Sequence, residues 1–395
     1  AVKSLGAEII IHGDNYDEAY LKAKELEKNQ SLTFIHPFDD PYVIAGQGTI
    51  GVEILEQMEE NIDAIFIPVG GGGLISGIAT YIKETRPSIK IIGVEPEDSS
   101  SMKLSLEANK QITLDHVGIF ADGVAVKRVG DIPFKLCKKY VDEIITVTTD
   151  ETCAAIQTIY EQTRSIVEPS GALSLAGITK YTGYHKIKNK TYIGINCGAN
   201  VNFDRLRHIA ERAAIGKQSE ILLAVEIEEK PGSFKKFCDA IGKRNITEFN
   251  YRYHNEASAR VFLGLALHQG EHAHNETIDY LEKLNYSVMD LSQNELAKVH
   301  IRHMVGGRTS IKNERIYRFE FPERPGALMS FLNAVGIEWN ITLFHYRNHG
   351  SDFGRILAGI EATDTEMNKL EKHLSELGYR YWQESNNPAY GMFLA

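Results

Sequence analysis

Four consecutive glycines at positions 70–73 form the segment of this 395-residue sequence that is best suited to chemistry. They follow a short apolar run, residues 64–67, that is typical of a buried strand, and they precede a helical pattern in residues 78–83. Because glycine has no Cβ, the backbone N–H groups of such a turn can close on an anion at the positive end of the helix. The segment predicts a phosphate-binding loop, with a mobile turn as the alternative.

The spacing of the glycines separates this loop from two common phosphate sites. A dinucleotide-binding loop has the pattern GxGxxG, and a P-loop ends in Gly-Lys-Ser or Gly-Lys-Thr. Here Gly73 is followed by Leu74, Ile75 and Ser76. The pattern favours a phosphate-bearing cofactor of another kind.

Apolar strands and helical stretches alternate from residue 7 to about residue 215. The predicted strands are residues 7–11, 32–35, 64–69, 89–94, 143–147 and 191–196. This alternation predicts a mostly parallel sheet that is covered on both faces by helices. Ligands bind such sheets at the carboxyl ends of the strands, where the glycine loop lies. Two further loops rich in small residues, 167–172 and 197–200, are expected near it.

The rest of the chain contains an internal repeat. Residues 230–234 match residues 324–328, and residues 245–252 match residues 340–347 at nearly the same offset. Each copy reads as strand, helix, strand, strand, helix, strand, which is the ferredoxin-like plan. The predicted domains are residues 1–215, 219–292 and 314–392.

Composition argues against several classes of function. A formal net charge of −10 disfavours a general nucleic-acid binder or a protein that binds anionic membranes. No apolar stretch of the sequence approaches the roughly 18 residues of a membrane span. The four cysteines stand far apart without a CxxC pair, which disfavours a structural zinc site and favours a reducing, cytoplasmic location.

Five motifs taken together resemble one enzyme family. They are residues 41–49, 70–74, 121–126, 168–172 and 198–202. In this combination the sequence resembles the fold-type II pyridoxal-phosphate enzymes, and among them the biosynthetic threonine deaminases (threonine ammonia-lyases), over essentially the whole chain. The implied fold class is α/β: a parallel-sheet cofactor domain, N-terminally incomplete, followed by two ferredoxin-like (ACT-like) βαββαβ units.

The resemblance implies roles for particular residues. The phosphate of pyridoxal 5'-phosphate would be held by Gly70, Gly71, Gly72, Gly73 and Leu74. Cys197 would lie beside the pyridine nitrogen, where a neutral side chain tempers the cofactor as an electron sink. Gly123 would lie near the substrate, L-threonine, and Glu168 would line the site or cap the following helix. The alternatives are a buried structural thiol at Cys197 and a plain turn at Gly123.

Two expectations concern groups that the sequence lacks. The family's Schiff-base lysine lies in a Ser-Phe-Lys type motif that is absent here, and Lys90 is better interpreted as a surface lysine at the start of a strand. We therefore expect the chain to begin inside a domain and to be inactive by itself. Glu95 stands where some relatives bind a divalent cation, but Ser99 and Ser101 leave too few carboxylates, so no metal is expected.

The repeated units suit regulation better than chemistry, because they contain no metal-ligand spacing and no nucleophile–base pair. The resemblance implies that they bind isoleucine as an allosteric inhibitor of a homotetramer. Tyr251 and Tyr346 occupy matching positions of the two copies and are the candidate contacts. Packing of both tyrosines against their sheets is the alternative.

Other functions stay open at the level of sequence. A non-catalytic amino-acid-binding regulator on a truncated pyridoxal-phosphate enzyme scaffold would also explain the missing lysine motif. A serine dehydratase or racemase of the same fold type is a further candidate, although such enzymes usually lack paired C-terminal units. A nicotinamide enzyme is the least favoured, because the glycine spacing is wrong.

Overall fold

The chain folds into two compact units, residues 1–201 and 202–395. The computed structural model describes residues 2–394 apart from 14–15, 59–60, 186–188, 229–236, 238–239, 242–245, 254–257, 268–269, 304–312, 323–338, 340 and 348–352.

The first unit is built on a parallel four-stranded sheet. Its strands are β1 (Ala64–Pro68), β2 (Lys90–Pro96), β3 (Glu143–Val147) and β4 (Tyr192–Gly194), in the order β3-β2-β1-β4. Its helices are α1 (Tyr16–Gln30), α2 (Pro41–Gln57), α3 (Gly73–Thr85), α4 (Ser101–Glu107), α5 (Asp131–Tyr140), α6 (Thr149–Thr163) and α7 (Pro169–His185). Short 3-10 turns occur at Val2–Leu5, Glu97–Ser99 and Asp122–Val124.

Helices cover both faces of the central strand β1. Ile65 and Ile67 pack in one cluster with the apolar side of α3. Phe66 points the other way, and its ring lies edge-on to Tyr181 of α7 at 5.5 Å between centroids. All five residues of β1 are buried, as an uninterrupted apolar strand in a parallel sheet requires.

Four of the six predicted strands are confirmed to within a few residues, and two are wrong. Residues 7–11 and 32–35 form no strand. A strand needs a neighbour that accepts its backbone hydrogen bonds, and within the described part of the chain no strand pairs with either segment. Their apolar side chains are exposed instead, to 92% at Ile11 and 71% at Ile35.

The second unit contains the same antiparallel sheet twice. The first sheet consists of β5 (Glu220–Glu228), β6 (Ile246–Tyr253), β7 (Ser258–Ala266) and β8 (Ser287–Asp290) in the order β6-β7-β5-β8. The second consists of β9 (Glu314–Pro322), β10 (Ile341–Arg347), β11 (Phe353–Glu361) and β12 (Arg380–Gln383) in the order β10-β11-β9-β12. The helices are α8 (Arg205–Gly216), α9 (Gly270–Lys283), α10 (Glu295–Val299), α11 (Met367–Leu377) and α12 (Pro388–Phe393), and a 3-10 turn spans Ile301–His303.

Both sheets have the strand order of the ferredoxin-like plan, so the predicted duplication is confirmed. Even an irregularity of register is repeated, between Ile246 and Glu248 in one sheet and between Ile341 and Leu343 in the other. The matching Pro-Gly segments, 230–234 and 324–328, lie outside the described residues.

Each sheet of the second unit packs its two faces differently. One face of the first sheet forms a core with α9, and one face of the second forms a core with α11. Residues on the opposite faces, among them Leu222 and Ile316, join one further cluster with α12. Helix α8 lies within the second unit, residues 202–395, whereas the predicted first domain, residues 1–215, includes most of this helix. The predicted domain bounds stay a prediction. Of the helices described, none has the length and apolar character needed to cross a membrane.

Candidate active site

The glycine loop (residues 70–73) joins the end of β1 to the first turn of α3. Gly72 is the N-cap of α3 and has a φ of 95°, a left-handed conformation that glycine adopts without strain. Within the described residues, no protein group accepts a hydrogen bond from the backbone N–H groups of residues 70–74. Five adjacent free donors at a helix N-terminus form a cradle for an anion.

Close packing leaves no room for side chains on the loop. A Cβ at Gly70 would lie 2.8 Å from the Cα of Val124, and a Cβ at Gly72 would lie 2.7 Å from the Cβ of Pro133. These distances are shorter than real Cβ contacts, so a larger residue would displace the backbone. All four glycines are therefore required by packing, and Gly72 is required by its conformation as well.

Gly123 lies between the glycine loop and the start of α7. It precedes Val124, the residue that contacts Gly70. A Cβ at Gly123 would lie 2.8 Å from Oγ of Ser170 and 3.1 Å from Oε1 of Glu168. The segment 121–126 thus connects two of the loops that the sequence predicts to meet.

The third predicted loop, 197–200, is attached to the same helix start. The N–H of Glu168 donates to the carbonyl of Gly198 at 3.2 Å, and the N–H of Asn200 donates to Oε2 of Glu168 at 3.2 Å. A Cβ at Gly171 would overlap the carbonyl oxygen of Cys197. The Glu168 side chain, just before the first turn of α7, therefore lies between Gly123 and residues 197–200, the Cys197 loop.

The thiol of Cys197 is half-buried beside this carboxylate. Burial and the negative charge of Glu168 both raise the pKa of the Cys197 thiol. Both causes disfavour the thiolate, so the side chain is neutral at neutral pH. A neutral group is what the expected role beside a pyridine nitrogen requires.

Sequence reasoning did not single out Ser170. Its side chain is buried at 3% exposure, and its Oγ has no hydrogen-bond partner among the described residues. Leaving a buried hydroxyl unsatisfied costs about 1–3 kcal/mol. The hydroxyl borders Gly123, so a ligand bound there could supply the missing partner. The only sequence signal was its place in the motif 168–172.

Together, the N–H cradle and the orphaned hydroxyl fit a small phosphate-bearing cofactor. The cradle provides donors for a phosphate, and Ser170 provides a polar contact at the other end of the same group of loops. Gly123 lies between them, at a position where a side chain would collide with Ser170 and Glu168.

Glu95 stabilises the fold locally. Its carboxyl group is fully buried at the end of β2 and accepts hydrogen bonds from the N–H groups of Met102 at 2.8 Å and Lys103 at 2.9 Å, at the start of α4. Burial raises the pKa of Glu95 to about 8, against the opposing effect of these hydrogen bonds. In the described ranges, no group of three or more His, Cys, Asp or Glu residues is placed to hold a metal ion.

Three further residues from the sequence analysis lie on strands, and the roles of the two tyrosines stay predictions. Lys90 is the exposed first residue of β2, as predicted. Tyr251 pairs with Val261 in β6–β7, and Tyr346 pairs with Ile356 in β10–β11. The two tyrosines therefore occupy equivalent backbone positions of the two sheets, while their side chains lie outside the described part of the structure.

Comparison with known proteins identifies the family. Residues 1–198 match the model of the pyridoxal-phosphate dependent enzymes, and residues 211–301 and 305–394 match the C-terminal regulatory domain of threonine dehydratase. The chain is 51% identical over 396 residues to the L-threonine dehydratase biosynthetic IlvA of Escherichia coli, covering 100% of this chain and 77% of the relative. The chain belongs to the biosynthetic threonine dehydratase family.

Other similarities agree with membership of the threonine dehydratase family. The corresponding protein of Burkholderia multivorans is 50% identical over 392 residues, covering 99% of this chain and 77% of that one. The structure of the processed form of threonine deaminase isoform 2 from Solanum lycopersicum is 46% identical with a TM-score of 0.53, covering 54% of this chain and 59% of that chain. The expected fold class, pyridoxal phosphate as the cofactor and a lyase as the enzyme class are confirmed.

Proposed function

We propose that this threonine dehydratase catalyses the pyridoxal-phosphate-dependent α,β-elimination of L-threonine to 2-oxobutanoate and ammonia, the first step of isoleucine biosynthesis. The observation that carries the proposal is the cradle of free N–H groups at residues 70–74, joined through Val124 and Gly123 to the Cys197 loop. The names of the relatives at about 50% identity supply the substrate.

In this proposal the glycine loop binds the phosphate of the cofactor through the N–H groups of Gly70, Gly71, Gly72, Gly73 and Leu74. Charge-assisted hydrogen bonds from backbone donors are stronger than neutral ones, and the positive end of α3 adds to them. The bound cofactor supplies an electron sink for loss of the α-proton and the β-hydroxyl of the substrate. The loop's part is to anchor one end of the cofactor, so that its reactive end has one position.

Cys197, Ser170 and Gly123 act at the other end of the site. The neutral thiol of Cys197 offers no full negative charge to a protonated ring nitrogen, which suits elimination. The hydroxyl of Ser170 gains the hydrogen bond that it lacks when a polar group of cofactor or substrate lies beside it. Gly123 allows its segment to pack against the start of α7, because any side chain there would collide with Ser170 and Glu168.

We further propose that the two antiparallel sheets bind isoleucine, which inhibits the enzyme. The equivalent positions of Tyr251 and Tyr346 support one contact from each copy. Inhibition requires that isoleucine prefer one of two states of the enzyme, since equal affinity for both would shift nothing. A homotetramer provides such states.

The free thiols of Cys137, Cys153 and Cys197 support a cytoplasmic location. The proposed domains are residues 1–215, 219–292 and 314–392.

The test is an assay of the protein expressed from its complete gene, with pyridoxal phosphate and either L-threonine or L-serine. Formation of 2-oxobutanoate from threonine, with inhibition by isoleucine, is the expected result. Absence of product, together with isoleucine binding, would instead support the non-catalytic regulator.

A substitution at position 197 tests the role of the neutral thiol. Cys197→Asp should slow elimination without abolishing cofactor binding, because the carboxylate would stabilise a protonated ring nitrogen. Cys197→Ser, which keeps a neutral group, is the control. Equal turnover by both variants and the wild type would remove Cys197 from its proposed role.

A further inference from the structure

Phe38 packs against the glycine loop. It lies in the turn formed by residues 36–40, just before α2. A Cβ at Gly71 would overlap the ring of Phe38, and a Cβ at Gly73 would lie 2.9 Å from its Cα. The Phe38 side chain and backbone therefore contact two of the four glycines directly.

His36 fixes the backbone of Phe38. Its Nδ1 accepts hydrogen bonds from the N–H groups of Phe38 at 3.3 Å and Asp39 at 2.9 Å. The two rings also meet edge to face, with 4.7 Å between their centroids. The direction in which Phe38 projects thus depends on an imidazole nitrogen that must be free to accept.

The two aspartates that follow attach the turn to two helices. Asp39 accepts hydrogen bonds from the N–H groups of Asp131 and Ile132, each at 2.9 Å, at the start of α5. Asp40 is the N-cap of α2 and accepts from the N–H groups of Tyr42 and Val43.

The start of α5 contacts the glycine loop from another direction. The N–H of Gly130 donates to the carbonyl of Gly71 at 3.0 Å, and Pro133 packs against Gly72. Asp39 follows Phe38 in sequence and caps α5, so it connects two segments that both contact the glycine loop.

We propose that the turn 36–40 is a positioning element for the phosphate site, in which His36 holds Phe38 against the glycine loop and so keeps the N–H groups of residues 70–74 convergent. The proposal rests on the cofactor assignment above and goes beyond it, because no residue of the turn is part of the glycine loop or of the Cys197 loop. Phe38 and His36 act through the loop.

The hydrogen bonds to His36 make the arrangement dependent on pH. The groups that face His36 are Asp39 and Asp40 of its turn, Lys24 and Tyr20 of α1, and, around the adjoining cavity, Tyr16, Asp17, Arg128 and Asp131. Burial lowers the pKa of His36 from its usual 6.5, with Lys24 acting in the same direction and Asp39 and Asp40 opposing it. The contribution of the neutral imidazole is therefore fully present above pH 6.5 and is lost as the pH falls through the lowered pKa.

The first experiment measures the Kd of the 395-residue chain for pyridoxal phosphate by equilibrium dialysis. Phe38→Leu should raise this Kd about tenfold, the equivalent of losing one charge-assisted hydrogen bond. Phe34→Leu is the matched control. The ring of Phe34 packs edge-on to His36 at 5.7 Å between centroids, but no atom of Phe34 is among those nearest to a Cβ built on the four loop glycines. Equal Kd values for the two variants would overturn the proposal.

The second experiment follows the Kd from pH 8 down to pH 5.5 and also decides the matter if Phe38→Leu does not fold. His36→Asn keeps an oxygen that can accept from the N–H groups two and three residues ahead, as in Asx turns, but does not titrate. It should retain wild-type affinity at pH 8 and lose less of it on acidification, whereas His36→Ala should bind weakly at every pH. Because the phosphate itself titrates near pH 6, the difference between wild type and His36→Asn is the measured quantity.

Identical pH profiles for wild type and His36→Asn would refute the role of His36. A wild-type chain that does not bind pyridoxal phosphate would instead refute the cofactor site. The two failures are therefore distinguishable.

Discussion

Replacing Gly72 with alanine should damage both the stability of the first unit and its affinity for the cofactor. Gly72 has a φ of 95°, and a left-handed conformation costs an alanine roughly 1–2 kcal/mol. The new Cβ would also lie 2.6 Å from Cε of Met102 and 2.7 Å from the Cβ of Pro133. Met102 can move its side-chain end, but Pro133 is rigid, and overpacking of this kind costs about 1–3 kcal/mol.

Together these terms lower the free energy of unfolding by about 2–5 kcal/mol. Since domains are typically stable by about 5–15 kcal/mol, most of the variant should still fold. The folded variant should bind pyridoxal phosphate at least about tenfold more weakly, because a displaced loop loses one or more hydrogen bonds to a charged group.

Urea unfolding followed by circular dichroism measures the first effect, and equilibrium dialysis measures the second. Gly183→Ala is the control: this glycine lies in α7, and nothing stands within 4 Å of a Cβ added there. It should be neutral or stabilise the protein by up to about 1 kcal/mol. If Gly72→Ala unfolded at the same urea concentration as the control and bound the cofactor equally well, the account of the glycine loop would be wrong.

Three further predictions concern other parts of the chain. Ser170→Ala removes a buried hydroxyl without a partner, so it should stabilise the ligand-free protein by up to about 1 kcal/mol in urea unfolding and weaken ligand binding. Ser174→Ala is the control: it loses a hydrogen bond to a backbone carbonyl and should destabilise the protein by about 1 kcal/mol. Because the pKa of Glu95 is raised from 4.5 to about 8, the wild type should lose stability relative to Glu95→Gln as the pH rises from 4.5 to about 8, where the unfolded chain releases this proton more readily than the folded protein. Parallel plots of the free energy of unfolding against pH for the two proteins would contradict this. Tyr251→Ala and Tyr346→Ala should each weaken isoleucine binding in calorimetry, and unchanged affinity in both would exclude these tyrosines.

Features that depend on neighbours in sequence were predictable. The glycine loop lies between a strand and a helix, as the change of hydrophobic period at residue 70 indicates. The repeat was visible because two copies of one plan share residue types at an offset of about 94, and the structure reproduces it down to a shared irregularity at Ile246 and Ile341.

Features that depend on distant contacts were not predictable. Residues 7–11 have a strand pattern, but pattern alone does not provide a partner strand. Asp39 caps a helix that begins 92 residues later, and no local signal connects the two. The unsatisfied hydroxyl of Ser170 likewise became visible only once its surroundings were known.

The most direct test of the central claim is a crystal structure of the chain with pyridoxal phosphate bound. Phosphate oxygens within hydrogen-bonding distance of the N–H groups of residues 70–74, with the ring nitrogen beside the sulfur of Cys197, are the predicted result. A phosphate bound elsewhere, with these N–H groups facing only solvent, would contradict it.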